Sequence, residues 1–419
     1  MTAFHYQNGT LYAEGVSIDE PAQTVPTPFY LYSEEALRSQ MKDFAQAAQK
    51  HLKSFLICFA IKSNANPEII RILASAGAGA DIVSEGELLL ASKAGIPAEK
   101  IVFSGVGKTK EALSLAVENG IRQINLESFE EAEMLEEIAA LAGKQVKVGV
   151  RVNPDVDAHT HHKITTGKKE NKFGIEWKEA RFLYRKLSKS KHLIPVGIDV
   201  HVGSQLLETQ PFAEAFEKAA ETVRALKEDG IILKTIDVGG GLGVAYQDSD
   251  RPCSADEYMS VVAEKLGGLG CEIIFEPGRF LVAPAGVLVS RVVRVKHTSL
   301  KDFLVLDAGM NDLIRPAIYD AYHGVKPVKE GDNSRKYDIV GPICESSDVF
   351  GKDRMLPEMR AGDMVVLETA GAYGASMGST YNFRPLCAEI LVSQNRFSVI
   401  RKRQTFEEML SLNQPASWL

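Results

Sequence analysis

Residues 54–94 read SFLICFAIKSNANPEIIRILASAGAGADIVSEGELLLASKA and contain the repeating unit of the fold. SFLICFAIK (54–62) is an almost unbroken apolar run, the pattern of a strand covered on both faces. Asn66 and Pro67 then open an amphipathic helical stretch that lasts to Ala76, where Gly77 and Gly79 interrupt it. AGADIVS (78–84) is a second short strand, and a second helical stretch follows from Glu85 to Ala94. Strand, helix, strand, helix with no hairpin signal is the repeat of a parallel sheet, because parallel neighbours need a crossover.

The same alternation continues outward through KIVFSG (100–105), QINLES (123–128), KVGVRVN (147–153), IPVGIDVHVGS (194–204), ILKTIDVGGG (232–241) and CEIIFEPGR (271–279). Amphipathic stretches such as 110–119 and 129–142 separate them, so the chain carries eight βα repeats, which predicts an α/β fold with a (β/α)8 barrel. After Arg279 come strand-like runs with few helical stretches: GVLVSRVVRVKH (286–297), DFLVLDAG (302–309), KYDIVGP (336–342) and DMVVLETAG (363–371). A mostly β domain is expected there. FHYQNGTLYAEG (4–15) reads as two strands about an Asn-Gly turn and is expected to pair with that C-terminal sheet. The predicted organisation is an N-terminal β segment over 1–34 packing with the C-terminal domain, a barrel over 35–280 and the C-terminal β domain over 281–419.

Composition narrows the class of function. Five cysteines, Cys58, Cys253, Cys271, Cys344 and Cys387, lack paired spacing, which argues against a disulfide framework and for a reducing compartment, the cytoplasm. Met1 to Tyr12 carries no targeting pattern, and no apolar run approaches the roughly 20 residues of a membrane span. A net charge of −7 gives no field to gather nucleic acid; the Lys-rich stretch 163–172 reads as a solvated loop. His159, His161 and His162 lack metal-ligand spacing, so no metal is expected.

A barrel presents its chemistry at the C-terminal ends of its strands. Lys62 ends the first strand, Asp81 and Ser84 the second, Arg151 and Asn153 the fifth, His201 the sixth, Gly239 to Gly241 the seventh, and Glu276 with Arg279 the eighth. Burial beside Phe59, Ala60 and Ile61 would make Lys62 a neutral amine able to form an imine; a snorkelling surface lysine fits the same pattern. The run Gly239-Gly240-Gly241-Leu242-Gly243 allows close backbone approach to a phosphate, or is a plain turn, and it lacks the lysine of a nucleotide P-loop. His201 offers a flat ring for stacking or a structural hydrogen bond. Glu276 can keep a pyridine nitrogen protonated, or bridge to Arg279.

Taken in order, FAIKSN (59–64), GADIVSEGEL (79–88), NKFGI (171–175), HVGSQ (201–205), GGGLG (239–243), EPGR (276–279), CESSD (344–348) and AGAYG (370–374) resemble the fold type III pyridoxal-phosphate (PLP) decarboxylases of the alanine racemase-like superfamily. The likeness spans nearly the whole chain; Ser63 stands where alanine is usual. It implies that Lys62 carries PLP as a Schiff base, that His201 stacks on the cofactor ring and that Glu276 pairs with the pyridine nitrogen. The phosphate would rest on Gly240, Gly241 and the backbone around Gly278 and Arg279, with Ser204 in the cofactor site, Tyr373 reaching from the β domain, and Asp81 at the acidic position near Lys62. The family forms each site across a homodimer, so Cys344, as proton donor, and Glu345 would serve the partner's Lys62.

The resemblance further implies decarboxylation of meso-diaminopimelate to L-lysine and CO2, the last step of bacterial lysine biosynthesis. Arg279, Arg315, Tyr319 and Tyr373 would contact that substrate, the arginines holding its distal carboxylate, while Glu345 and Ser204 read its distal amine. Ornithine, arginine, carboxynorspermidine or a carrier-linked amino acid are the alternative substrates; Glu345 stands where ornithine enzymes of the family carry Asp. Racemases of the superfamily place Arg, not Glu, at the pyridine nitrogen. A catalytically silent regulatory homologue should have lost Lys62, His201, Glu276 and Cys344, and all are present.

Overall fold

The computed structural model describes residues 3–154, 156, 172–332 and 334–418. His159, His161, His162 and all of the 163–172 stretch except Lys172 lie outside the described residues. The chain forms two compact units, Arg38–Ala245 with Asp250–Leu281, and Met1–Leu37 with Tyr246–Ser249 and Val282–Leu419.

The first unit is a closed parallel barrel whose strands are Phe55–Ala60, Gly79–Ile82, Ile101–Phe103, Gln123–Leu126, Val146–Arg151, Leu193–Asp199, Thr235–Asp237 and Glu272–Phe275. Closure comes where the eighth strand pairs with the first, Ile273 opposite Phe55. Helices follow because their starts are capped: the side chains of Asn66, Thr109 and Ser128 accept from the amides of Glu68, Ala112 and Glu131. Each such cap contributes about 1 kcal/mol. Ser84, read above as a strand-end functional position, is spent on the same task, accepting from the Glu87 amide at 3.2 Å to start the helix Glu85–Lys93.

The barrel interior is polar. Thr235 Oγ1 donates to Gln123 Oε1 at 2.7 Å, and Gln123 Nε2 donates to Asn125 Oδ1 at 2.7 Å, all buried. The fifth and sixth strands make room with glycine: a Cβ at Gly149 would lie 2.5 Å from Asn125 Oδ1, and one at Gly197 would lie 2.2 Å from Thr235 Oγ1. Linked buried polar groups of this kind fix one packing, since each is expensive to leave unmatched.

In the second unit the strand Gly286–His297 pairs with Asp302–Leu306, Met364–Leu367 and Phe29–Ser33, and Phe29–Ser33 pairs in turn with Ala388–Ser393. Phe4–Gln7 and Thr10–Ala13 form the expected hairpin, with Asn8 at φ 50° and Gly9 at φ 74° in its turn. That hairpin does not join the C-terminal sheet as a strand. It makes a separate small sheet with Val16–Ser17, linked to the C-terminal half by a bridge between Thr10 and Lys329, and it is Phe29–Ser33 that enters the large sheet. Leu11, Ala13, Val16 and Ile18 pack in one apolar cluster with Phe29, Val287 and Ile390.

Candidate active site

The first barrel strand ends at Ala60, and a short 3-10 turn, Ile61–Ser63, carries Lys62 out of the barrel wall. Ala60 lies opposite Asp81 in the register of the first two strands, so the turn sets the lysine beside that carboxylate. Lys62 Nζ is 2.8 Å from Asp81 Oδ2, with the lysine side chain 39% exposed and the aspartate fully buried. Apolar burial is therefore not the environment of this amine; an ion pair to a buried acid holds and aims it. The second oxygen, Asp81 Oδ1, is buried with no hydrogen-bond partner among the described residues. Ser63 buries its hydroxyl against the Ala60 carbonyl at 2.7 Å, which satisfies it where alanine would need no partner.

Glu276 follows the eighth strand, buried, and Ser104 Oγ at the end of the third strand donates to its Oε1 at 3.1 Å. Asn125 Nδ2 reaches both Ser104 Oγ and Asp237 Oδ2 at 3.1 Å, and the Gly239 amide donates to Asp237 Oδ1 at 3.0 Å. Burial, reinforced by the carboxylates of Asp237, Asp81 and Asp199, pushes the Glu276 carboxyl well above its usual range, against the opposing charge of Lys62. Burial likewise lifts Asp237 to about 7, offset by the Gly239 amide and reinforced by Asp81. Buried acids this close oppose one another's ionisation, which is the physical cause of both shifts. Ser104, Asn125 and Asp237 were missed as site residues in the sequence. Polar residues alternate with apolar ones in VFSG, INLE and TIDV, a signal that they share a face but not of which face looks inward.

His201 leaves the sixth strand next to the glycine run, and the Gly240 amide donates to its Nδ1 at 3.2 Å. An accepting Nδ1 makes the ring neutral with its proton on Nε2. Burial, with the positive charges of Arg151 and Lys62, holds His201 well below the usual histidine range. Arg151 is buried against Glu127 at 3.0 Å and Asp199 at 3.8 Å, with its guanidinium 4.9 Å from the Phe173 ring centroid. The glycine run admits no side chain. A Cβ at Gly239 (φ +64°) would lie 2.5 Å from His201 Nδ1, one at Gly240 2.4 Å from the Glu276 carbonyl, and one at Gly241 (φ +106°) 2.6 Å from the Gly203 carbonyl. Arg279 Nη2 donates to Ser204 Oγ at 3.0 Å, and a Cβ at Gly278 would lie 3.0 Å from the Ser63 side chain. Of the expected site residues, Lys62, Asp81, His201, Ser204, Gly240, Gly241, Glu276, Gly278 and Arg279 thus belong to the C-terminal end of one barrel.

The remaining expected residues belong to the other unit. Arg315 and Tyr319 begin and end one short helix, Arg315–Tyr319, with Arg315 only 5% exposed. Cys344 and Glu345 are exposed in the loop after the strand Arg335–Val340, and Tyr381 Oη and Ser347 Oγ both donate to the Glu345 carboxylate. Asp348, not singled out in the sequence, shapes that loop: its buried carboxylate accepts from the amides of Met310 at 2.7 Å and Ile343 at 2.6 Å. Tyr373 sits at φ 55°, a left-handed conformation uncommon for a bulky residue and characteristic of functional turns. Among the described residues no three His, Cys, Asp or Glu side chains are grouped as metal ligands would be.

Glu87, one turn into the helix that Ser84 starts, accepts from the Val83 amide at 2.7 Å. Burial raises its carboxyl to about 7; the Val83 amide and Lys62 oppose the shift and Asp81 adds to it. A raised acid binds its proton more tightly folded than unfolded, so stability falls as pH rises from about 4.5 to about 7 and stays at the lower level beyond. Glu87→Gln keeps the acceptor and removes the titration. Urea unfolding should show the variant gaining on the parent across that window, by on the order of 1–2 kcal/mol after discounting for partial exposure. Identical pH dependence in both proteins would refute the assignment.

The chain is similar along its length to known proteins. The family model described as "Pyridoxal-dependent decarboxylase, pyridoxal binding domain" matches residues 37–283. Diaminopimelate decarboxylase of Zymomonas mobilis subsp. mobilis is 45% identical over 421 residues, covering 100% of each chain, and that of Aquifex aeolicus is 43% identical over 96% of this chain and 95% of its own. The crystal structure of diaminopimelate decarboxylase from Helicobacter pylori complexed with L-lysine superposes with a TM-score of 0.91 at 42% identity, over 94% of this chain and 98% of that one.

Proposed function

The chain belongs to the diaminopimelate decarboxylases, a branch of the pyridoxal-dependent decarboxylases, and from that premise we propose that it converts meso-diaminopimelate to L-lysine and CO2. The observation that carries the reading is the Lys62–Asp81 pair at the end of the barrel that also buries the Glu276 carboxyl, in a chain similar to such enzymes along its full length. The protein is a PLP enzyme, and its residues fit the cofactor. A half-exposed lysine amine suits the aldehyde, a buried acid the pyridine nitrogen, and glycine backbone without side chains the phosphate. Bound PLP supplies an electron sink for the charge left on carbon when CO2 departs.

Each residue has a task in that reading. Lys62 would anchor the cofactor through its aldehyde and give way to the substrate amine, with Asp81 keeping Nζ aimed at the site. Glu276 would pair with the pyridine nitrogen and keep it protonated, with Ser104 donating to its carboxyl and Asn125 linking Ser104 to Asp237. The neutral ring of His201, fixed by the Gly240 amide, gives an uncharged face for stacking. Gly240, Gly241, the backbone at Gly278 and Arg279, Ser204 and Tyr373 bind the phosphate end. Arg279, Arg315 and Tyr319 hold the distal carboxylate, and Glu345, braced by Tyr381 and Ser347, reads the distal amine.

Cys344 is the proton donor to the carbon that loses CO2, and it acts with Glu345 on the site of a second copy in a homodimer. Exposure of both residues in a single chain supports this, since a side chain serving another copy must lie at the surface of its own. The barrel over 35–280 carries most of the cofactor site and Arg279, and the C-terminal β domain over 281–419, with which segment 1–34 packs, carries Arg315, Tyr319, Tyr373, Cys344 and Glu345. The described cysteines are all free thiols, and among the described residues no helix is long and apolar enough to cross a membrane, in keeping with work in the cytoplasm.

The test is to supply PLP-loaded protein separately with meso-diaminopimelate, ornithine, arginine and lysine, and to measure CO2 and the amine product. CO2 and L-lysine from meso-diaminopimelate alone are expected. Turnover of another amino acid would keep the decarboxylation chemistry and overturn the substrate.

A further inference from the structure

His323 lies between the short helix Arg315–Tyr319 and the strand Val325–Pro327 and is fully buried. Its Nδ1 is 2.7 Å from the Glu368 carbonyl oxygen, and its Nε2 is 2.7 Å from Arg315 Nη1. A carbonyl oxygen can only accept and a guanidinium can only donate. The proton therefore sits on Nδ1, Nε2 offers a lone pair, and the ring is neutral. Tyr246 completes the clasp: the Arg315 guanidinium lies 4.6 Å from its ring centroid, and its ring meets that of His323 edge-on at 5.3 Å. Charged neighbours are arranged around this clasp. Arg354 donates to the His323 carbonyl at 3.3 Å and covers the Tyr322 ring, while the Glu368 carboxylate is matched by Lys326 at 2.8 Å.

We propose that His323 is a positioning residue for substrate selection: a neutral acceptor that fixes the plane of the Arg315 guanidinium without cancelling its charge. A carboxylate at this place would orient the arginine equally well but would neutralise the cation that a distal carboxylate must find. Imidazole in its neutral form separates the two effects. The inference rests on the reading of Arg315 as a reader of the distal carboxylate.

The test uses PLP-loaded protein, meso-diaminopimelate kinetics, and calorimetric binding of L-lysine and of cadaverine, which lacks both carboxylates. His323→Phe keeps a ring but no acceptor, and should raise KM and the L-lysine Kd roughly 10- to 30-fold while kcat and cadaverine binding change little, the scale of one hydrogen bond to a charged group. His323→Glu, which the Arg315 cation itself would hold in place, should weaken L-lysine comparably. His323→Gln, with an uncharged oxygen as acceptor, should recover most of the parent's affinity. An equal fall in kcat or in cadaverine binding, or a Gln variant no better than Phe, would overturn the proposal in favour of a merely structural role. If Arg315→Ala abolishes the preference for L-lysine over cadaverine and both His323→Phe and His323→Glu preserve it, the His323 proposal alone fails. If Arg315→Ala preserves the preference, the reading of Arg315 fails first.

Discussion

Lys62→Ala is expected to abolish the absorbance that marks PLP joined to the protein and to lower CO2 release by roughly 10⁴-fold or more, about 5.5 kcal/mol of activation free energy. The variant also strands Asp81, a fully buried carboxylate that loses the ammonium 2.8 Å away. Some loss of stability should accompany the loss of activity, because a buried acid without its partner is costly. The double variant Lys62→Ala with Asp81→Asn separates the two effects: stability should recover and absorbance should not. Mixing Lys62→Ala protein with Cys344→Ala protein tests the shared site in the same assay. Random re-pairing leaves one intact site in each mixed dimer, so roughly a quarter of parental activity should return. An unchanged spectrum in Lys62→Ala would remove this lysine from the mechanism, and no recovery on mixing would remove Cys344 from the partner's site.

Arg315→Ala should lower kcat/KM for meso-diaminopimelate by about 10³- to 10⁴-fold with PLP still bound, because a site built on polar contacts discriminates on that scale where a missing methylene does not. Arg315→Lys should rescue little. The parent guanidinium lies 4.6 Å from the Tyr246 ring centroid and spends one N–H on His323, an arrangement that a compact ammonium cannot reproduce. Steady-state kinetics with the cofactor spectrum recorded alongside decide the matter, and near-normal turnover in Arg315→Ala would refute the assignment.

The barrel was legible in the sequence because its strands are buried on both faces and leave continuous apolar runs. Each of the eight runs overlaps one observed strand, although several strands stop short: ILKTIDVGGG yields only Thr235–Asp237, since the glycines beyond it leave the ladder to crowd His201 and Glu276. The environment of Lys62 was not legible. Asp81 lies 19 residues away, and only the pairing of the first two strands makes them neighbours. The inward polar set of Gln123, Asn125 and Asp237 was hidden for a related reason: alternation along a short strand tells that residues share a face but not which face looks inward. In the second unit, Val349–Leu356 reads VFGKDRML, a charged edge-like segment with no strand signature, and the pairing of Phe29–Ser33 with strands more than 250 residues away leaves no local trace.

That last pairing orders events during synthesis. Phe29–Ser33 is made near the start of translation, yet it lies between Gly286–His297 and Ala388–Ser393 in the finished sheet. At about 5–20 residues per second, its second neighbour follows it from the ribosome by roughly 20–70 s. The five-residue strand FYLYS has neither neighbour until Gly286–His297 is made, and one edge stays unsatisfied until Ala388–Ser393 follows, while the barrel segment emerges and can close from contiguous chain. The nascent protein is thus most exposed to wrong pairing, and most in need of a holding chaperone, at its first thirty-odd residues.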